Sequence, residues 1–173
     1  MNITKDNLTI RHAVTADATQ LGIWWRDGEV MAHAGFPNGL EISDEEILEE
    51  IAKYSDDGLR VMIIEVNSKP IGEMNYRNLG DSTASIGIKI CDMSMQEKAY
   101  GTKFVKMLVE ELFGNLGYEK IILDANLRNV RARRTYEKVG FQKTGERHNC
   151  WTDQLGKPQS VADYELLKSE YEG

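Results

Sequence analysis

Hydrophobic and polar positions alternate at the start of the chain and then take a helical spacing. Residues 8–14 (LTIRHAV) alternate as in a strand that buries one face. Residues 15–25 follow with the period of a helix, for which Thr15 is the expected N-cap. The apolar side of this predicted helix comprises Leu21, Trp24 and Trp25. The chain therefore begins with a strand and an amphipathic helix.

A glycine-containing segment separates this helix from a second one. Residues 31–42 (MAHAGFPNGLEI) predict a loop, because glycine and proline interrupt both kinds of periodicity. Ser43 and Glu46 then form an S-x-x-E capping box, which is typical of a helix start. The buried stripe of the second helix comprises Ile47, Leu48, Ile51 and Tyr54.

The middle of the chain predicts an antiparallel meander of three strands. Residues 60–67 (RVMIIEVN), 71–79 (IGEMNYRNL) and 85–91 (SIGIKIC) are rich in β-branched and other apolar residues, and turn residues separate them.

The C-terminal half returns to the helical period and then closes with strands. A long helix is predicted from Tyr100 to about Gly114, followed by a buried strand at 120–126. A further helix begins near Asn129 and stops at Gly140. Two final strands, at 141–151 and 160–167, are expected to form a hairpin. Interleaved helices and strands predict an α/β fold with a mixed sheet, in one domain spanning residues 1–173.

The composition is that of a globular protein, with 41% hydrophobic and 28% charged residues. No apolar run reaches the roughly 20 residues that a membrane span needs, and no apolar stretch typical of a secretory signal stands at the start. We therefore expect a cytoplasmic protein without a membrane partner. The net charge of −7 argues against nucleic acid as the main partner and favours a cationic one.

The charges are unevenly distributed. Residues 41–57 contain eight carboxylates and one lysine, which we interpret first as a solvated helix face. Residues 129–141 (NVRARRTYEKVGF) instead hold four cationic side chains, and this helix is the only candidate surface for nucleic acid.

Cysteine and histidine residues indicate no metal site and no disulfide framework. Cys91 and Cys150 have no C-x-x-C spacing, and we expect both to be free and buried. The three histidines are scattered along the chain, so no metal cofactor is expected.

Small residues at the start of the long predicted helix suggest a phosphate site. Ala99 and Gly101 allow a ligand to approach the backbone, and the first N–H groups of a helix attract anions. Small residues at a helix start are also common without a ligand. The P-loop and dinucleotide patterns GxxxxGK[ST] and GxGxxG are absent.

Two segments together resemble the GNAT superfamily of acyl-CoA-dependent N-acetyltransferases. Residues 96–101 (QEKAYG) match the family's phosphate-loop pattern [QR]-x-x-[GA]-x-[GA], with alanine at the first small position. Residues 129–141 match its second signature, N-x-x-[AS]-x-x-x-Y-x-[KR]-x-G-[FY]. The resemblance implies about seven strands in a mixed sheet, flanked by about four helices, with two central strands splayed around acetyl-CoA. Homodimers are common in the family, and one is possible here by analogy.

The resemblance also implies which residues contact acetyl-CoA. Its pyrophosphate is expected on the N–H groups of residues 96–102, its pantetheine arm along residues 88–90 and at Asn129, and its phosphate-bearing end near cationic side chains of the last helix. The residues so identified are Ile88, Lys89, Ile90, Gln96, Glu97, Lys98, Ala99, Tyr100, Gly101, Thr102, Asn129, Arg131, Arg134 and Tyr136.

The chemistry of acetyl transfer to an amine requires an acid, a base and an oxyanion donor. The family resemblance implies that Tyr136 protonates the departing thiolate, and the backbone N–H of Ile90 is a candidate oxyanion donor. Asp124 and Glu73 compete as general base, and a water chain is a third possibility. Both carboxylates are alternatively acceptor-binding groups or ordinary surface acids.

The acceptor is expected to be a cationic amine. Trp24, Trp25, Trp151 and Tyr164 are candidate walls of its pocket, and Glu73 and Asp124 are candidate carboxylates within it. Asp153, Asp163 and the carboxylates from Glu45 to Glu50 are further candidates for attracting a polycation, and are alternatively solvated surface acids. Any one of these tryptophans is alternatively a core residue. This interpretation fits an aminoglycoside or a polyamine.

Other functions stay open at this point. The opening helices and the W-x-D-x-x-G segment beginning at Trp151 also resemble the branch that acetylates N-terminal amines of ribosomal proteins. Interpretations from different classes are a catalytically silent CoA-binding module and a nucleic-acid binder.

Overall fold

The computed structural model describes residues 1–173 and contains one mixed sheet of eight strands. The strands are β1 (Asn2–Lys5), β2 (Leu8–His12), β3 (Leu59–Val66), β4 (Lys69–Asn78), β5 (Thr83–Ile90), β6 (Lys120–Asn126), β7 (Gln142–Thr152) and β8 (Pro158–Leu167). Their order across the sheet is β1-β2-β3-β4-β5-β6-β8-β7. All neighbours pair antiparallel except β5 and β6, which are parallel.

Five helices cover the sheet. They are α1 (Ala18–Trp25), α2 (Gly28–Met31), α3 (Asp44–Lys53), α4 (Tyr100–Gly114) and α5 (Val130–Val139). The larger core of 27 buried residues lies between the sheet and α4 and α5, and a core of nine includes residues of α1 and α3. Strand β3 contributes Met62 and Ile64 to one core and Val61 and Ile63 to the other, which explains its continuous apolar sequence.

The mixed α/β architecture is confirmed, and two short elements come in addition. Strand β1 is a short edge strand of mostly exposed residues, and α2 has only four residues. Neither is long enough to show a hydrophobic period. The Ser43 and Glu46 capping box is also confirmed, because each side chain accepts a hydrogen bond from the other residue's backbone N–H.

The expected cap of the first helix was wrong. Thr15 lies in a short 3-10 turn that precedes α1, and no side chain caps α1 itself. Asp17 instead accepts a hydrogen bond from the Val14 N–H at 2.8 Å and is held by the guanidinium of Arg11. A carboxylate anchored by an arginine thus organises this turn.

The pairing of β5 with β6 ends after three residues. Thr83, Ala84 and Ser85 pair with residues 120–122, and no further pairs follow although both strands continue. The sheet therefore opens into a V from Ile86 onward, as the family resemblance implies.

Helix α4 begins at this opening with an unfavourable backbone conformation. Its N-cap is Ala99, with φ 60° and ψ 10°, in the left-handed region that costs a residue with a Cβ about 1–2 kcal/mol. Glycine reaches this conformation without that cost.

We expect Ala99→Gly to raise the free energy of unfolding by about 0.5–1 kcal/mol, since relief of the left-handed strain exceeds the added entropy of the unfolded chain. Urea denaturation measures the change. Ala52→Gly is the matched control, because Ala52 lies within α3 and there glycine should lower stability. A loss of stability in both variants would contradict the strain at Ala99.

Candidate active site

The V between β5 and β6 continues into a cleft of about 1180 Å³. Its walls come from β5, the loop before α4, the starts of α4 and α5, and the segment that includes α2. The cleft is lined by all the residues predicted to contact acetyl-CoA except Lys98, which is exposed. The parallel pairing of β5 with β6 thus brings the two motif segments, which follow these strands, to one opening.

The loop into α4 presents a run of free backbone donors. No N–H group from Glu97 to Thr102 donates a hydrogen bond within the protein, and Lys103 is the first to do so, to the Ala99 carbonyl at 3.3 Å. Glu97, like Ala99, has a positive φ, and such loops arrange successive N–H groups around an anion. The residues present fit a pyrophosphate.

Helix α5 places its cations on two sides. Arg131, Arg134 and Lys138 line the cleft, whereas Arg133 turns away and donates to the Leu127 carbonyl and the Tyr164 hydroxyl. These cationic side chains and the free N–H groups before α4 together favour a polyanionic ligand at the end of the cleft where α4 and α5 begin.

Arg131 also connects the two arms of the V. Its guanidinium donates a hydrogen bond to the side-chain oxygen of Gln96, and the Gln96 amide donates to the Ile90 carbonyl at 3.0 Å. The glutamine of the first motif therefore holds the end of β5 and the start of α5 together.

Asn129 begins the second motif and caps α5. Its side-chain oxygen accepts a hydrogen bond from the Ala132 N–H at 3.2 Å, which satisfies one of the free donors of the helix start. Its side-chain NH₂ makes no bond within the protein and lies in the cleft wall. It can donate to a ligand's carbonyl.

Tyr136 is buried except for its access to the cleft. It is 5% exposed, and its ring packs edge-on against Phe141 and tilted against Tyr164. The Tyr136 hydroxyl has no hydrogen-bond partner in the protein. Every fully buried side-chain oxygen has such a partner, so this hydroxyl is not fully buried and is open to the cleft. Burial, and secondly the negative charge of Asp124, raise the pKa of Tyr136. The phenol therefore stays protonated at neutral pH.

Asp124 is near the end of β6 and lines the same cleft. Its side chain is exposed, and one oxygen accepts a hydrogen bond from Arg147 at 3.2 Å. Asp124 is therefore a solvent-accessible carboxylate in the same cleft as the Tyr136 phenol.

Glu73 has a different environment. It is 6% exposed, accepts a hydrogen bond from the Trp25 indole at 2.9 Å and lies 2.6 Å from the Lys89 ammonium. Lys89 lines the cleft, but Glu73 does not. This placement does not fit the expected contact of Glu73 with an acceptor, because its carboxylate is occupied by two partners inside the protein.

The aromatic residues predicted to wall the acceptor pocket also fall into two groups, one lining the cleft and the other packed inside the protein. Trp151 lines the cleft and packs on Gly35, where an added Cβ would lie 2.4 Å from the indole ring. Trp24, however, belongs to the smaller core, Trp25 is bound to Glu73, and Tyr164 is buried beneath α5. The helical stripe that suggested a pocket wall was a core stripe in the case of Trp24.

Several cleft residues had no sequence signal. Asn75 of β4 lies against Gly87 with no hydrogen bond to its side chain, and Glu29 belongs to the unpredicted α2. His33 lines the cleft from the predicted loop, where surrounding protein and the charge of Arg131 lower its pKa. Cys150 is exposed in the cleft, so the expectation that both thiols are buried holds only for Cys91.

No helix has the length and hydrophobicity that crossing a membrane demands.

Comparisons with known proteins agree with this geometry. An aminoglycoside N(6′)-acetyltransferase type 1 of Klebsiella pneumoniae is 27% identical over 158 residues, covering 82% of this chain and 77% of the relative. The structure of a spermidine N-acetyltransferase from Vibrio cholerae, in complex with CoA and spermine, superposes with TM-score 0.86 at 23% identity. That match covers 98% of this chain and all of the other.

A second similar structure is that of an enzyme named for a different acceptor. The ribosomal-protein-S5-alanine acetyltransferase of Vibrio fischeri superposes with TM-score 0.84 at 14% identity and covers both chains fully. The family model for the GNAT acetyltransferase domain matches residues 7–142. With both motifs at the opening of the V and this match over most of its length, the chain belongs to the GNAT family of acetyl-CoA-dependent N-acetyltransferases.

Proposed function

We propose that this acetyltransferase transfers the acetyl group to a primary amine of a cationic small molecule, of the polyamine or aminoglycoside class. The observation that carries the proposal is that the Tyr136 phenol and the Asp124 carboxylate line one cleft, which opens where β5 and β6 separate. A neutral acid and an anionic base at one opening are what amine acetylation requires.

The cofactor end of the cleft binds and orients acetyl-CoA, which supplies the thioester. The free N–H groups from Glu97 to Thr102 take its pyrophosphate, and Arg131 and Arg134 contribute positive charge. The Asn129 side-chain NH₂ and the open edge of β5 at residues 88–90 hold the pantetheine arm.

Tyr136 is the proposed general acid. The acceptor nitrogen attacks the thioester carbonyl carbon, the carbon–sulfur bond breaks, and the thiolate takes the phenolic proton. The nitrogen then releases the extra proton that it carries after the attack, and a proton returned to the Tyr136 oxygen restores the phenol. Burial raises the pKa of Tyr136, so the phenol stays protonated while both substrates bind and its proton is available to the departing thiolate.

Asp124 is the proposed base, because an amine is protonated in solution and must lose a proton before it attacks. The accessible carboxylate attracts the ammonium and accepts that proton directly or through water. Glu73 is better suited to support: paired with Lys89 and Trp25, it fixes both side chains under the cleft.

The choice of acceptor class rests on charge and on relatives. Glu29 and Asp124 lie in the cleft, and the similar proteins include enzymes named for aminoglycoside and spermidine acetylation. The acidic face of α3 does not line the cleft, and Asp153 is bound within its own turn to two backbone N–H groups and Gln159. Cation attraction is therefore not assigned to the α3 carboxylates or to Asp153.

A CoA-release assay across polyamines, aminoglycosides, amino acids and peptide N-termini tests the proposal. We expect turnover with polyamines or aminoglycosides and little with neutral amino acids. Selective acetylation of a ribosomal-protein N-terminal peptide would favour the alternative represented by the Vibrio fischeri structure. Tight acetyl-CoA binding without turnover of any amine would favour a silent CoA-binding module.

Replacing the proposed acid tests its role. We expect Tyr136→Phe to lower kcat by about ten- to a thousandfold with little change in the KM for acetyl-CoA, because only the hydroxyl group that donates the proton is removed. Steady-state kinetics measure both constants. The phenylalanine ring preserves the packing on Phe141, and an unaltered thermal midpoint serves as the control. An unchanged kcat would refute the role.

The cationic side of α5 is tested by Arg134→Gln, since Arg134 lines the cleft and makes no ion pair. We expect the KM for acetyl-CoA to rise about three- to tenfold at low salt, and the effect to shrink as ionic strength increases. Arg77→Gln is the matched control, an exposed arginine outside the cleft and also without an ion pair. Equal KM values for the two variants would remove Arg134 from the cofactor site.

A further inference from the structure

Two carboxylates face each other on adjacent strands, one lining the cleft and a second cavity and the other lining the second cavity alone. Asp124 of β6 and Asp163 of β8 are register partners in an antiparallel pair, and we call them the acidic pair. Like charges at directly opposed positions destabilise a sheet unless a cation compensates them.

Arg147 of β7 supplies that cation. Its Nε and Nη2 each donate to Asp163 at 2.8 Å, and Nη2 also donates to Asp124 at 3.2 Å. One guanidinium thus neutralises both members of the acidic pair, with its positive charge placed between them.

The arginine stands where two cavities meet. Asp124 and Arg147 line both the cleft and a second cavity of about 500 Å³. Asp163 and Glu165 add negative charge to the second cavity, and Lys120 pairs with Glu165 there. A cation approaching through the second cavity therefore meets the acidic pair before it reaches the thioester site.

Tyr136 gives an independent indication that a ligand belongs at this place. Its side chain is 95% buried, and its unpartnered hydroxyl opens into the cleft that Asp124 also lines. Asp124 and Tyr136 line the same cleft, and the charge of Asp124 contributes to the raised pKa of this phenol. An amine bound to Asp124 consequently lies in the cleft into which the proposed acid opens.

The bond between Arg147 and the acidic pair is replaceable. The Arg147 side chain is 53% exposed, and ion pairs in solvent contribute only about 0–1 kcal/mol. Arg147 makes no other side-chain bond, and the register of β7 shifts between Arg147 and Trp151. Moving the guanidinium aside breaks nothing else in the fold.

We infer that Arg147 is an internal counter-ion which the acceptor's ammonium groups displace, and that this displacement selects acceptors with two ammonium groups. The two groups are expected about 5 Å apart, which is the distance between the Cα atoms of opposed residues on adjacent antiparallel strands. The inference rests on the proposed function and refines its substrate class. One ammonium binds Asp124 and gives up its proton there, and the second remains charged on Asp163. Arg147 is thus a specificity-determining residue.

Isothermal titration calorimetry without acetyl-CoA tests this displacement directly. The probes are propane-1,3-diamine and spermidine as polyamines, kanamycin as an aminoglycoside, and propylamine as a monoamine. We expect Arg147→Gln to lower the Kd of at least one diamine class about three- to tenfold, because the competing cation is gone. Asp163→Asn should raise the Kd of that class about tenfold and change that of propylamine by less than about twofold.

The control separates local displacement from net charge. Arg77→Gln removes the same charge from a surface outside both cavities and should leave every Kd unchanged. Thermal unfolding shows whether each variant is folded. Arg147→Gln alone leaves Asp124 and Asp163 repelling each other, and the double variant with Asp163→Asn removes this repulsion. An unchanged or higher diamine Kd in Arg147→Gln would overturn the inference.

Failure of the inference and failure of the proposed function give different results. If cationic amines are acetylated but Arg147→Gln does not tighten diamine binding, only the role of Arg147 is refuted. If diamines bind more tightly to Arg147→Gln but no amine is acetylated, the binding site stands and the proposed reaction fails.

Discussion

The early end of pairing between β5 and β6 is the constraint on which the rest of the site depends. Parallel strands that stay paired share their backbone groups, whereas here pairing stops after three residues and an edge is left inside the sheet. Helices α4 and α5 each follow one of the two separating strands, so both helix starts face the same opening. A ligand in the V can therefore use strand edge and helix N-termini together.

Electrostatics divides this opening into two ends. Free N–H groups and the cleft-facing arginines of α5 give one end a positive potential, although the whole chain carries −7. On the other side, Asp124 of β6 and Asp163 of β8 hold Arg147 between them. This division supports the proposal that a polyanionic cofactor and a cationic acceptor reach one reaction centre from opposite sides.

Chemically similar side chains have different roles because their burial and their hydrogen-bond partners differ. Tyr136 is buried without a hydrogen-bond partner, and its raised pKa keeps the phenol protonated. Tyr164 is also buried, but its hydroxyl accepts a hydrogen bond from Arg133 and donates one to Glu137. Glu73 is neutralised by Lys89 inside the protein, and Asp124 stays accessible. Partners in the fold, rather than residue type, separate catalytic candidates from supporting ones.

Local sequence signals determined most elements and the cofactor end, because periods, caps and the two motifs are properties of neighbouring residues. The capping box at Ser43, the helix from Tyr100 to Gly114 and the phosphate loop all follow from such signals. Only the tertiary structure decided that Trp24 is core, that Glu73 is satisfied by Lys89, and that Asp124, Asp163 and Arg147 meet. These contacts join residues far apart in the chain, and no period or motif encodes which distant side chains strand register brings together.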